Sequence, residues 1–181
     1  VFTTQVSLAA GDQAGEGSLT FSAGEAQTTV SITVTEVPQG GSLVINEVDY
    51  DQPGEDNAEF VEIYNPTSQV VDLSSVNIEF LNGSSGGQVY HTLALSSVAS
   101  ELAANAFLVL YQGAVMVPDG VLKGSLMASI QNGAPDGIRL VNTQTNEVID
   151  SLSYEGETEG STEGGVAPEA SDLGDGSLAR C

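Results

Sequence analysis

Basic residues are almost missing from this 181-residue chain, which sets 3 Lys and Arg against 25 Asp and Glu for a formal charge of −22; its first cation is Lys123. Nucleic-acid surfaces work through clustered Lys and Arg that release counterions, so nucleic acid is excluded as a partner, and an anionic membrane surface with it. Tryptophan is absent, and there is one histidine, His91, and one cysteine, Cys181. With a single histidine, no G-x-S-x-G nucleophile turn and no zinc-ligand spacing, hydrolytic chemistry has only carboxylates to draw on. No catalytic residue is assigned. His91 alternates with Tyr90 in Val89–Leu93, the position of a strand residue. A lone cysteine closes no disulfide within the chain and leaves a domain boundary or an interchain bridge as its reading. No apolar run approaches the roughly 18 residues of a membrane-spanning helix. The chain starts at Val1 without Met or a charged-then-apolar leader, which reads as a segment cut from a longer polypeptide.

What is present is period-two alternation, in Val30–Val34, Ala58–Tyr64 and Ile138–Val141, with Gly, Asn, Asp and Pro between such runs. The one helix candidate, Ser97–Asn105, is short, so the chain reads as all-β and antiparallel, a sandwich. Strands are expected near Thr4–Ala9, Gly17–Ser22 and Thr28–Thr35, then at Leu43–Tyr50, Ala58–Tyr64, Gln69–Leu73, Val76–Leu81, Val89–Leu95, Ala106–Tyr111, Gly137–Val141 and Val148–Ser153. Asn82-Gly83, Asn132-Gly133, Asp119-Gly120 and Asp136-Gly137 are turn dipeptides. Pro38–Ser42 reads as a linker, because Pro stops the ladder and Gly-Gly frees the backbone. Gly156–Gly176 has no period and reads as a long surface excursion before a short closing strand at Ser177–Ala179.

Two resemblances follow. Gly17–Glu25 with Thr28–Thr35 resembles the last two strands of Calx-β-type extracellular repeats, so residues 1–38 are expected to be partial immunoglobulin-like strands, with 39–42 as linker. Leu43–Asn65, with its "INEV…AEFVEIYN" spacing, resembles the opening hairpin of bacterial lamin-tail domains. The likeness continues through Val71–Leu73, Ile78–Gly83, Phe107–Leu110, Gln131–Gly137 and Ser177–Cys181, and so covers about 43–181. It departs where Ser74-Ser75-Val76 replaces the Trp common after the turn and where an internal cysteine pair is lacking. The resemblance implies an immunoglobulin-like antiparallel β-sandwich of secreted, multidomain bacterial proteins, often beside nuclease or phosphatase modules.

The sharpest chemical feature is the carboxylate set Glu47, Asp49, Asp51, Glu55, Asp56 and Glu59, on and around one hairpin loop in which Pro53-Gly54 forces a turn. If Ile45 and Ile63 both face the core, strict alternation puts Glu47, Asp49 and Glu59 on that same face toward its loop end. Like charges so close repel unless screened, protonated or bridged by a hard cation, and calcium takes six to eight oxygens of this kind. These six residues are the candidate calcium ligands, with Ca2+ the one cofactor expected, although their order is not that of an EF-hand. Solvated surface carboxylates are the competing reading. Asn82-Gly83-Ser84 is a sequon, read as chance in a bacterial chain. Phe60 and Tyr64 place aromatic rings on a strand face opposite Val61 and Ile63, which suits a neighbouring domain, a carbohydrate or an assembly interface.

The sequence therefore points to a non-catalytic, extracellular or cell-surface module, a spacer, adhesive or filament-type assembly unit, whose partners are other protein domains or copies of itself. An accessory domain of a secreted hydrolase is the alternative.

Overall fold

The structure, a computed structural model, describes residues 15–23, 26–34, 43–161 and 176–180. The expected strand at Thr4–Ala9, the linker, most of the 156–176 excursion and Cys181 lie outside them. The chain divides into two compact units, Val1–Pro38 and Gln39–Cys181.

In the first unit β1 (Gly15–Ala23) and β2 (Ala26–Val34) form an antiparallel ribbon. Leu19 stands opposite Val30 and Phe21 opposite Thr28, while Thr20 and Thr29 join hydroxyls at 3.1 Å.

The second unit is built from β3 (Val44–Asp49), β4 (Phe60–Tyr64), β5 (Val71–Asp72), β6 (Val76–Asn82), β7 (Gln88–Ala94), β8 (Glu101–Leu102), β9 (Phe107–Tyr111), β10 (Leu122–Ser125), β11 (Asp136–Asn142), β12 (Val148–Tyr154) and β13 (Leu178–Ala179). A five-stranded sheet in the order β10-β9-β4-β3-β13 and a four-stranded sheet in the order β12-β11-β6-β7 carry the core, with a small β5-β8 pair beside them. Pairing is antiparallel except between β9 and β10. Ile45, Val48, Val61, Ile63, Leu108 and Leu110 from the first sheet join Ile78, Phe80, Ile138 and Leu140 from the second in one buried cluster. Each such side chain contributes about 1.5–3 kcal/mol by leaving water. Near one lateral edge Arg180 holds Asp150 of β12 at 3.0 Å while Asp150 accepts the Ile45 amide at 2.7 Å, which ties the two sheets together.

Three readings are corrected. Ser97–Asn105 is not a helix: a single 3-10 turn at Leu95–Ser97 leads into β8, where Leu102 pairs with Val71 and is fully buried. Nine residues gain too few helical bonds to offset nucleation, and burial of Leu102 decides the conformation. Asp136-Gly137 opens β11 rather than a turn; a Cβ on Gly137 would lie 1.8 Å from Ser161 Oγ, so the glycine serves close packing. Leu122–Ser125 is a strand that alternation does not reveal, because Lys123 and Gly124 interrupt it, and at Gly124 a Cβ would press on Val98 at 2.6 Å.

Candidate functional site

The β3–β4 hairpin places the carboxylates, and a single extra residue decides how. Ile45 pairs with Ile63, but the next pair is Glu47 with Glu62, so Asn46 bulges out and the alternation changes phase. Val48 and Tyr50 turn inward, fully buried, while Glu47 and Asp49 go to the outer face opposite Glu62 and Phe60. The expected common face of Glu47, Asp49 and Glu59 is thereby corrected. Glu59 alone of the three points into the protein.

Glu59 is fully buried. One carboxylate oxygen, Oε2, accepts the Ile130 amide at 3.0 Å and a short bond from Gln112 Nε2, which also donates to Ser129 Oγ at 3.0 Å. The other, Oε1, is buried, and the carboxyl also shares a side-chain hydrogen bond with Asp56. Burial, with Asp56 and Asp49 nearby, pushes the Glu59 carboxyl up to about 8 against the opposing pull of the Ile130 amide. Around it Gln52 organises the loop: its Nε2 donates to Asp49 Oδ1 at 2.6 Å, its Oε1 accepts the Ala58 amide at 2.9 Å, and its own amide meets Asp56 Oδ1 at 3.4 Å. Asn132 Nδ2 reaches both Asp51 Oδ1 and Asp56 Oδ2 at 3.4 Å.

The structure thus gathers Asp49, Asp51, Asp56 and Glu59 about Gln52 and Asn132. It leaves Glu55 exposed at the loop tip and gives Glu47 to the last strand, where Ser177 Oγ donates to it. Among the described residues no group of three Asp, Glu, His or Cys side chains is disposed to hold a metal ion.

Sequence reasoning missed the groups that share the segment Ser129–Pro135 with Glu59. Tyr90 OH accepts the Gln131 amide at 2.9 Å, and Tyr154 OH donates to the Gln131 carbonyl at 2.7 Å. Asp136, buried at the start of β11, accepts the Gly83 amide at 3.2 Å and the Gly133 amide, and its Oδ2 has no hydrogen-bond partner. Burial is the first cause in each case: it pushes Asp136 up to about 6, Tyr90 up to about 12 and Tyr154 well above the usual phenol range. Tyr154 also stacks on Tyr50 at 4.1 Å. These groups belong to strands far apart in sequence, so no local spacing marks them; the only cue is a tyrosine, with its apolar body and polar tip, at strand positions. His91 has a structural bond, Nε2 lying 2.9 Å from the Leu126 carbonyl.

On the outer face of the five-stranded sheet Phe60 stands opposite Tyr111, and Tyr64 opposite Phe107 with ring centres 4.5 Å apart. Between the two pairs Glu62 faces Val109, and Asn46 Nδ2 donates to Glu62 at 2.7 Å.

The model of the lamin tail domain family matches residues 36–156, which takes in every strand from β3 to β12. The chain belongs to the lamin tail domain family. A lamin tail domain is a structural immunoglobulin-like module, in keeping with the two antiparallel sheets here. Comparison with curated proteins gives no match. No helix among the described residues is long and apolar enough to cross a membrane.

Proposed function

We propose that this lamin tail domain is a non-catalytic extracellular module that spaces or assembles the units of a larger surface protein. The observation that carries the reading is where its buried polar groups go. Glu59, Tyr90, Tyr154 and Asp136 each hydrogen-bond the backbone of one loop segment and fix it between the two sheets. An active site instead aims such groups at an open cleft where a substrate atom can sit. The test is turnover by the purified chain on phosphodiester, phosphomonoester, ester and glycoside substrates. None is expected, and His91→Ala is expected to change nothing but local stability; turnover abolished by one substitution overturns the reading in favour of hydrolase chemistry. Immunoglobulin-like repeats flanking the domain in its parent protein support the spacer role, and a nuclease or phosphatase module there supports the accessory-domain alternative.

Calcium stiffening belongs to the same proposal, with Asp49, Asp51, Asp56 and Glu59 as the carboxylates that an ion would have to draw together, since no three of them are disposed to hold one as they stand. The favouring observation is that Asp56 and Asp49 crowd the buried Glu59 carboxyl, which shares a side-chain hydrogen bond with Asp56. An ion that binds only the folded state adds about 2.7 kcal/mol at a hundredfold excess over Kd, several degrees in melting temperature. Calcium is expected to exceed sodium chloride at matched ionic strength, and Asp49→Asn with Asp51→Asn to remove that excess. Equal shifts from the two salts reduce these groups to solvated or hydrogen-bonded carboxylates.

A further inference from the structure

Four of the chain's 5 Phe and 5 Tyr lie on the outer face of the five-stranded sheet, away from the core. Phe60–Tyr111 and Tyr64–Phe107 are direct cross-strand pairs, four positions apart along the strand, about 13 Å. All four rings are half-buried, and between the two pairs Glu62 on β4 stands beside the covered Val109 on β9, so the face alternates aromatic pairs with a carboxylate. Acids line this face on the β3 side. Glu47 stands directly opposite Glu62, and Asp49 directly opposite Phe60. Like charges in direct register destabilise a sheet, and among the described residues neither Glu47 nor Glu62 has an ion-pair partner. The one cation in the described part of this sheet's central and edge strands is Lys123, across Val109 on β10.

Glu62 and Glu47 hold only neutral hydrogen-bond donors, Asn46 Nδ2 and Ser177 Oγ. Rings beside such carboxylates are the chemistry that receives a guanidinium or ammonium group, which stacks on the ring and pairs with the acid. We propose that this face docks a basic protein segment, its Arg or Lys side chains lying over Phe60, Tyr64, Phe107 and Tyr111 and pairing with Glu47 and Glu62. Charge selects the occupant. A second copy would bring another −22 against the same acids. A neutral glycan would leave the carboxylates without a counterpart. The inference rests on the assembly reading for its purpose. Its test is independent of turnover, so docking can fail while the module stays non-catalytic.

The experiment titrates the isotopically labelled full chain, followed by NMR, with an eight-residue peptide alternating arginine and leucine. The same peptide with glutamate for arginine and the neutral glucan cellohexaose are the other arms. Amide shifts confined to β3, β4 and β9 are expected with the arginine peptide alone. Glu47→Gln with Glu62→Gln should weaken it about fivefold at low salt, whereas Glu101→Gln with Glu147→Gln, the same change in net charge at exposed sites elsewhere, should weaken it less than about twofold. Tyr111→Ser, with unchanged circular dichroism, should weaken it about tenfold. Shifts scattered over the chain, or equal effects of the two charge variants, overturn the proposal in favour of general acidity. Cellohexaose shifting these strands where the arginine peptide does not overturns it in favour of a carbohydrate platform.

Discussion

Along β4, Val61 and Ile63 face the four-stranded sheet and are fully buried, whereas Phe60, Glu62 and Tyr64, one residue out of step, stay half-exposed on the other side. The neighbouring strands repeat the division: Leu108 and Leu110 inside, Phe107 and Tyr111 outside on β9, and Val48 inside, Glu47 and Asp49 outside on β3. The inner face is aliphatic and saturated by its own protein. The outer face combines aromatic pairs with like charges in register. The division on β3 depends on Asn46, since without its bulge Glu47 and Asp49 would take the places of Val48 and Tyr50.

The largest effect that tests this division is Ile63→Ala. Truncating a fully buried Ile removes its transfer energy and leaves a cavity, a cost of about 2–5 kcal/mol. Tyr64→Ser, the adjacent residue on the outer face, should cost about 1 kcal/mol, mainly its stacking on Phe107. Urea denaturation with unchanged slope measures both. If the two losses are equal, the faces do not differ in the way the burial pattern says.

Most strands were legible in the sequence because alternation survives wherever one face is buried. Residues 76–82 and 136–142 are examples in which only the ends moved by a residue or two. The family too was legible, since Leu43–Asn65 is one continuous hairpin whose signature needs no long-range contact. Where the pattern depended on a partner it failed. β10 is a strand because β9 runs beside it, and the phase of β3 follows from a bulge that no residue type announces. The candidate site divides in the same way. The density of acids in the loop was plain, but that Glu59 belongs to the interior, bonded to Ile130 across 71 residues, follows only from the packing of the sheets.

A second effect concerns the opposite sheet, where Asp136 anchors the same loop segment as Glu59. Its folded pKa is raised from 3.8 to about 6, chiefly by burial. The folded state therefore holds the proton more tightly than the unfolded chain. That contribution to stability is complete below about pH 4 and is lost as pH rises through about 6, leaving a charged buried carboxylate at neutral pH. Asp136→Asn, neutral at every pH and still able to accept the Gly83 amide, should be more stable than the parent by about 1–2 kcal/mol at pH 8 and should lose the gain the parent shows between pH 7 and pH 4. Thermal melts of both proteins across that range check the sign. A variant that is less stable at pH 8 would mean that the stronger hydrogen bonds a carboxylate accepts, rather than the cost of burying its charge, govern the site.

The smallest effect lies on the outer face and bears most directly on what that face is for. Glu47 and Glu62 oppose each other in register with no ion-pair partner among the described residues. Replacing both by Gln keeps an acceptor for Ser177 Oγ and for Asn46 Nδ2 while removing the repulsion. Cross-strand charge pairs are worth roughly 0.2–1 kcal/mol, so the double variant should gain about that much at low ionic strength. The gain should fade as salt shortens the screening length to a few ångströms. The single variants give the coupling: each alone should recover nearly the full gain, because one charge removed ends the repulsion. Independent, additive gains would show that each glutamate is penalised by the general acidity of the chain rather than by its neighbour. The outer face would then owe its charge to composition instead of to a partner's geometry.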